Sequence, residues 1–194
     1  MAKILIFFEI NQFSWIFLCL FVKKHYLCDV KVLIRLLLLP LLLVGCVTDE
    51  HHDEADADAT SIVRVGDQLP DFSVEVIDGS SRTLFNIGNL EGMTVIVFFH
   101  TGCVDCQREL PELNSYYLRH QKEPGFRMVA IAREESEESI ADFWQQHNLS
   151  IPYSPQTDRR IYNLFATQYI PRVYICSAQG IVLWMGVENF DLPD

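Results

Sequence analysis

The chain has a single Cys-x-x-Cys, Cys103-Val-Asp-Cys106, with no second such pair and no Cys-x-x-His to complete a set of four ligands. A structural zinc site is therefore disfavoured, since such sites close with four Cys or His. Cationic side chains are also scarce. Lys and Arg number 15 against 26 Asp and Glu, for a net charge of −11. No nucleic-acid partner is expected from that balance, although much of the acidity sits in one segment and says little more about partners. Large apolar side chains are nearly missing from Val47 to Ser61, where six carboxylates occur instead. Such a segment cannot bury enough surface to offset its ordering entropy and reads as a disordered tether. His51 and His52 within it read as solvated linker residues rather than as a metal site.

What is present is concentrated around the cysteine pair. Val95 to Phe99 is an apolar, β-branched run that reads as a strand buried on both faces, and Gly102 breaks it just before Cys103. Beyond Cys106, Leu110, Leu113, Tyr117 and Leu118 recur at helical spacing, so a helix is predicted to start at Cys103. Residues three apart on a helix have Cβ atoms roughly 5 to 6 Å apart, close enough for a disulfide to open and close without refolding. Free amides and the positive end of the helix dipole favour a thiolate at Cys103, which makes it the attacking nucleophile. Cys106 is then the resolving thiol that breaks a mixed disulfide with a partner.

The run Cys103-Val-Asp-Cys106-Gln-Arg-Glu109-Leu-Pro111-Glu-Leu113 resembles the CxxCxxExPxL pattern of the thioredoxin superfamily, within it the membrane-tethered thiol-disulfide oxidoreductases of the TlpA/ResA type. The resemblance extends from about Val65 to Val187. It implies an α/β thioredoxin-like fold, with a central mixed sheet flanked by helices and an N-terminal β-hairpin that minimal thioredoxin lacks. It also implies a bacterial enzyme of the cell envelope that acts on protein disulfides, needs no cofactor beyond the Cys103–Cys106 pair, and is re-reduced by a membrane thiol reductase. Pro171 stands where the family carries a cis-proline facing the cysteines, so Ile170 and Pro171 are expected to pair with an extended substrate. Glu109, three residues past Cys106, is the family's candidate for proton transfer during exchange.

The first 46 residues fall outside that resemblance. Ile4 to Val22 is apolar but broken by Glu9, Asn11 and Gln12. A second pattern is cleaner: Lys31 and Arg35, the apolar run Leu36 to Val44, then Gly45-Cys46. It resembles a bacterial lipoprotein signal and lipobox, implying cleavage before Cys46, lipidation there, and a membrane facing the periplasm or the cell exterior. A translation start near Val30 would make the first segment redundant. A transmembrane hairpin is the weaker reading, because its second arm has about 11 apolar residues where a span needs roughly 20. Under the lipoprotein reading, Cys19 and Cys28 would be absent from the mature protein.

From Ile62 onward a folded domain is expected to residue 194. A hairpin is predicted from Phe72, Val74 and Val76, the Asp78-Gly79-Ser80-Ser81 turn, and Thr83 to Phe85. Phe126 to Ala132 reads as the next buried strand. Ser136 should open a second helix on an acidic first turn and His147-Asn148 close it. Further strands are expected at Ile151 to Tyr153, Val173 to Cys176 and Ile181 to Val187. Pro111 should kink the first helix. Cys176 is read as a small core residue. The closing helix of thioredoxin-like folds is expected to be missing or truncated, since few residues follow Asn189.

The departures from the family pattern bear on chemistry. Gly102 replaces a common Trp, and His100 precedes Thr101 where Ala is more usual. Asp105 between the cysteines disfavours a neighbouring thiolate, which argues for a reductant rather than a strong oxidant. Two other functions stay open. A peroxiredoxin-like peroxidase would need Thr or Ser three residues before its reactive cysteine, and those positions hold His100 and Cys103. A copper chaperone could use Cys103, Cys106 and a distant His, since thiolates suit Cu(I).

Overall fold

The computed structural model describes residues 59–189 and 191–193. The leader, its Cys46 lipidation site and the tether as far as residue 58 lie outside the described residues. Alternation of Val74 and Val76 with Ser73 and Glu75 produces β1 (Ser73–Asp78), which pairs antiparallel with β2 (Ser81–Asn86). The turn between them needs a left-handed residue, supplied by Gly79 at φ 56°. In β3 (Thr94–Phe99) every residue is buried. It lies parallel to β4 (Arg127–Ala132) on one side and antiparallel to β6 (Arg172–Cys176) on the other. A strand flanked on both edges and covered on both faces tolerates only a continuous apolar run.

Helix α1 (Val104–His120) follows β3, and α2 (Glu137–His147) joins β4 to the short β5 (Tyr153–Ser154). After a 3-10 turn at Tyr162–Leu164, β6 and β7 (Val182–Val187) form a second hairpin. The seven strands run in the order β2-β1-β5-β4-β3-β6-β7. This is the mixed sheet expected of a thioredoxin-like fold, with the hairpin added at the β5 edge. Among the described residues no helix follows β7.

Capping matches the sequence at both ends of α2. Ser136 Oγ accepts from the Ser139 N–H, and Asn148 ends α2 in the left-handed region. Helix α1 is continuous through Pro111, which leaves the Gln107 carbonyl without its usual helical donor. Its buried stripe differs from expectation at the far end. Leu110 and Leu113 are inside, but Tyr116 rather than Leu118 continues the stripe, at 2% against 47% exposure. Three residues on from Leu113 keeps Tyr116 on the same face, where it meets Phe126 and His120.

Cys176 is fully buried in β6, and burial pushes its thiol up to about 12 from an ordinary 9.0. The unfolded chain therefore holds fewer protons than the folded one above about pH 9, and stability falls as pH rises. In the reduced protein, Cys176→Ala should flatten this alkaline loss, by about 2 kcal/mol between about pH 8 and about pH 10.5. Urea unfolding at the two pH values measures it, and equal pH dependence in both proteins would contradict the assignment.

Candidate active site

Residues His100 to Cys103 form the turn that converts β3 into α1. The Cys103 N–H donates to the His100 carbonyl at 3.1 Å, and the Gly102 N–H donates to His100 Nδ1 at 2.9 Å. Cys103 is the N-cap of α1, and its Sγ accepts from the Cys106 N–H at 3.5 Å. The same sulfur lies 3.4 Å from the Ile170 carbonyl oxygen, so β3–α1 and the loop before β6 meet at this atom. The Ile170–Pro171 peptide is cis. Sequence thus brings Cys103, Cys106, Ile170 and Pro171 together.

The two thiols differ in access. Cys103 is partly exposed, whereas Cys106 is fully buried, and both are free thiols here. Burial pushes the Cys106 thiol far above its ordinary range, while a backbone hydrogen bond at His100 and the Arg133 charge pull it part of the way back. Only Cys103 is reachable by a partner's sulfur, and Cys106 is placed to follow it.

Glu109 is 8% exposed on the turn after Cys106, and its Oε1 accepts from Arg108 Nε at 2.9 Å. Asp105 is also engaged, accepting from Arg108 Nη1 at 2.8 Å. The carboxylate between the cysteines is thus partly neutralised by a neighbour three residues on, a pairing that weakens the effect expected of Asp105 alone.

Several residues at this site were not singled out from the sequence. Glu135 is 5% exposed, and its carboxylate accepts from the Thr101 N–H at 2.8 Å, from the Thr101 hydroxyl, and from the Ser139 hydroxyl at 2.6 Å. It stands in an acidic run that reads as a solvated helix start, so nothing local distinguishes it. Arg172 is fully buried and donates to Ser61 Oγ at 2.5 Å, to Thr60 Oγ1 at 3.0 Å and to the Gln168 carbonyl at 3.0 Å. It ties the first described residues to the loop carrying Pro171. Arg133 and Arg159 both lie over the Tyr162 ring, each 5.3 Å from its centroid. The Tyr162 hydroxyl sits 2.5 Å from the Gln168 carbonyl and 2.8 Å from that of Tyr169.

Among the described residues no group of three or more His, Cys, Asp or Glu could hold a metal ion. No helix there is long and apolar enough to cross a membrane. Cavities of about 370 and 590 Å³ flank the β1–β2 hairpin, and neither contains Cys103 or Cys106.

Comparison with known proteins agrees with this geometry. The thiol-disulfide oxidoreductase ResA of Bacillus cereus is 25% identical over 154 residues, which cover 79% of this chain and 86% of that one. Among solved structures, a thiol:disulfide interchange protein of the thioredoxin family from Chlorobium tepidum superposes with a TM-score of 0.53 at 22% identity, covering 64% of this chain and 87% of the other. StoA from Bacillus subtilis superposes with a TM-score of 0.51 at 19% identity, covering 61% and 88%. The AhpC/TSA family model matches residues 65–185, which span every strand but the last two residues of β7 and hold both cysteines. On that match, and on a fold it shares with thioredoxin-like proteins, the chain belongs to the AhpC/TSA family.

Proposed function

We propose that this protein reduces disulfides in other proteins through the Cys103/Cys106 dithiol. The observation that carries this reading is the asymmetry of the pair, a reachable Cys103 one helical turn ahead of a fully buried Cys106. Cys103 as thiolate attacks one sulfur of the target, so the target's S–S bond breaks, a mixed disulfide forms and the other target sulfur leaves as a thiol after taking up a proton. Cys106 then loses its proton and attacks Cys103. The mixed bond breaks, the second target thiol departs, and the protein keeps the Cys103–Cys106 disulfide. Two electrons pass to the target and the protein needs a donor dithiol to start again. Glu109, buried beside the resolving thiol's helical turn, is the group proposed to move its proton.

The pair needs no further cofactor. Ile170 and Pro171 would hold an extended stretch of target next to Cys103. The direction of electron flow rests on charge. Asp105, Glu109 and Glu135 all lie on the helix turn and loops around the pair, and Arg108 is shared between the first two. Three carboxylates around the pair support reading it as a reductant rather than a strong oxidant. Anchoring through lipidated Cys46 in a bacterial envelope membrane, facing the periplasm or the exterior, and re-reduction by a membrane thiol reductase complete the proposal. They rest on the leader sequence and on the resemblance to TlpA/ResA-type proteins. The peroxidase reading is not favoured, because His100 and Cys103 occupy the positions where Thr or Ser would be needed.

The test is insulin reduction by the full chain with dithiothreitol as donor, with glutathione titration read by alkylation mass spectrometry. Catalysed insulin precipitation and a potential near that of thioredoxin, about −270 mV, are expected. A potential near about −120 mV would reverse the direction. Cysteines that never interconvert between free and bonded forms would remove the proposal.

A further inference from the structure

The strongest unexplained feature is a buried acid outside the Cys-x-x-Cys pattern. Glu135 lies at the junction of β4 and α2, and burying its carboxylate is costly unless donors replace the lost water. Three donors do so. The Ser139 hydroxyl comes from the helix that follows, but the N–H and hydroxyl of Thr101 come from 34 residues away, two positions before the attacking cysteine. From the other side, the Glu135 N–H donates to the Gln156 carbonyl at 2.7 Å, and the neighbouring Arg133 N–H donates to the Phe99 carbonyl at 2.8 Å. The acid is fixed before it meets the loop.

Other polar groups of the loop are engaged within it and with α1. His100 takes the N–H groups of Gly102 and Cys103, and the Thr101 carbonyl accepts from Gln107 Nε2 at 2.7 Å. The Thr101 N–H and hydroxyl remain, and they are what Glu135 holds. His100 Nδ1 stands 3.9 Å from the same carboxylate, beyond hydrogen-bonding distance.

We infer that Glu135 is a positioning residue for disulfide exchange: by clamping Thr101 it fixes the His100–Cys103 turn and so sets how readily Cys103 and Cys106 close on each other. The inference rests on the exchange chemistry proposed above. A thiol held at one position presents a high effective concentration to its partner, and loosening its loop lowers that concentration. The expected result is a disulfide that forms less readily.

The experiment equilibrates the full chain and its variants in glutathione buffers and measures the oxidised fraction, the iodoacetamide reactivity of Cys103, and urea stability in both redox forms. In Glu135→Ala the equilibrium constant for closing the disulfide should fall three- to tenfold, a tenfold fall being about 30 mV towards less negative potential. Glu135→Gln, which keeps an acceptor for the Thr101 N–H, should lie between that and the unsubstituted protein. Thr101→Val, which removes only the hydroxyl, should move the same way by less.

A purely structural role would lower stability equally in both redox forms and leave the equilibrium constant and Cys103 reactivity where they were, which would overturn the inference. Should Glu135→Ala fail to fold, Glu135→Gln and Thr101→Val decide it, and an unmoved constant in both overturns it equally. If the unsubstituted protein never cycles, the exchange reading falls and this inference with it. Cycling with unmoved variants removes the inference alone.

Discussion

Replacing Cys106 by Ser should turn a catalyst into a trap. Cys103 still reaches a target disulfide, because its sulfur is the partly exposed one beside the Ile170 carbonyl. The mixed disulfide then has no thiol behind it to release the target, so a covalent adduct should accumulate on a non-reducing gel while insulin turnover falls about a thousandfold or more. Cys103→Ser should lose turnover to the same extent but leave no adduct, since Cys106 is fully buried and out of reach of a second protein. An adduct on Cys103→Ser, or none on Cys106→Ser, would assign the roles the other way round. Neither change should cost much stability, because Ser is nearly isosteric with Cys, the Cys103 sulfur already has backbone partners, and the Cys106 thiol has a backbone hydrogen bond at His100.

The same asymmetry shows what was legible in the sequence and what was not. Local rules were enough for the pair: an apolar run, a Gly and a helical repeat place Cys103 at a helix start and Cys106 one turn in, as observed. The hairpin at Asp78–Ser81 and the ends of α2 were likewise written in turn and capping residues. Contacts across long stretches of chain were not. Glu135 sits among Glu134, Glu137 and Glu138, and only the fold brings it under Thr101. Arg172 follows Pro171 in an apolar stretch and would read as the exposed edge of a strand, yet it is fully buried because Thr60, Ser61 and the Gln168 carbonyl surround it. Tyr116 displaced Leu118 from the core stripe for a related reason, since its ring finds Phe126 beyond the end of the helix. Periodicity fixes which face is buried, but the neighbour decides which side chain fills it.

The largest effect on stability is expected from Phe98→Ala. Phe98 is fully buried in β3, and its ring lies 4.8 Å from that of Phe165, 5.4 Å from Tyr162 and 6.3 Å from Tyr174, centroid to centroid. Truncation removes the ring's transfer energy and opens a cavity among side chains that are themselves fully packed, at a cost of about 3–5 kcal/mol. That is a large part of the roughly 5–15 kcal/mol that holds a domain together. Urea unfolding measures it, and a loss below about 1 kcal/mol would mean that the aromatic cluster does not secure β3. The consequence should reach the active site as well. Tyr162 packs on Phe98 and carries, on its hydroxyl, the carbonyls of Gln168 and Tyr169 just before Ile170. Loosening that ring frees the loop that faces Cys103, so molecules of Phe98→Ala that remain folded should also exchange disulfides more slowly. Cys106→Ser separates the two properties the other way, abolishing turnover while the fold stands. The cluster around Phe98 thus serves both stability and chemistry, because the strand that forms the centre of the sheet is also the strand that delivers the nucleophile.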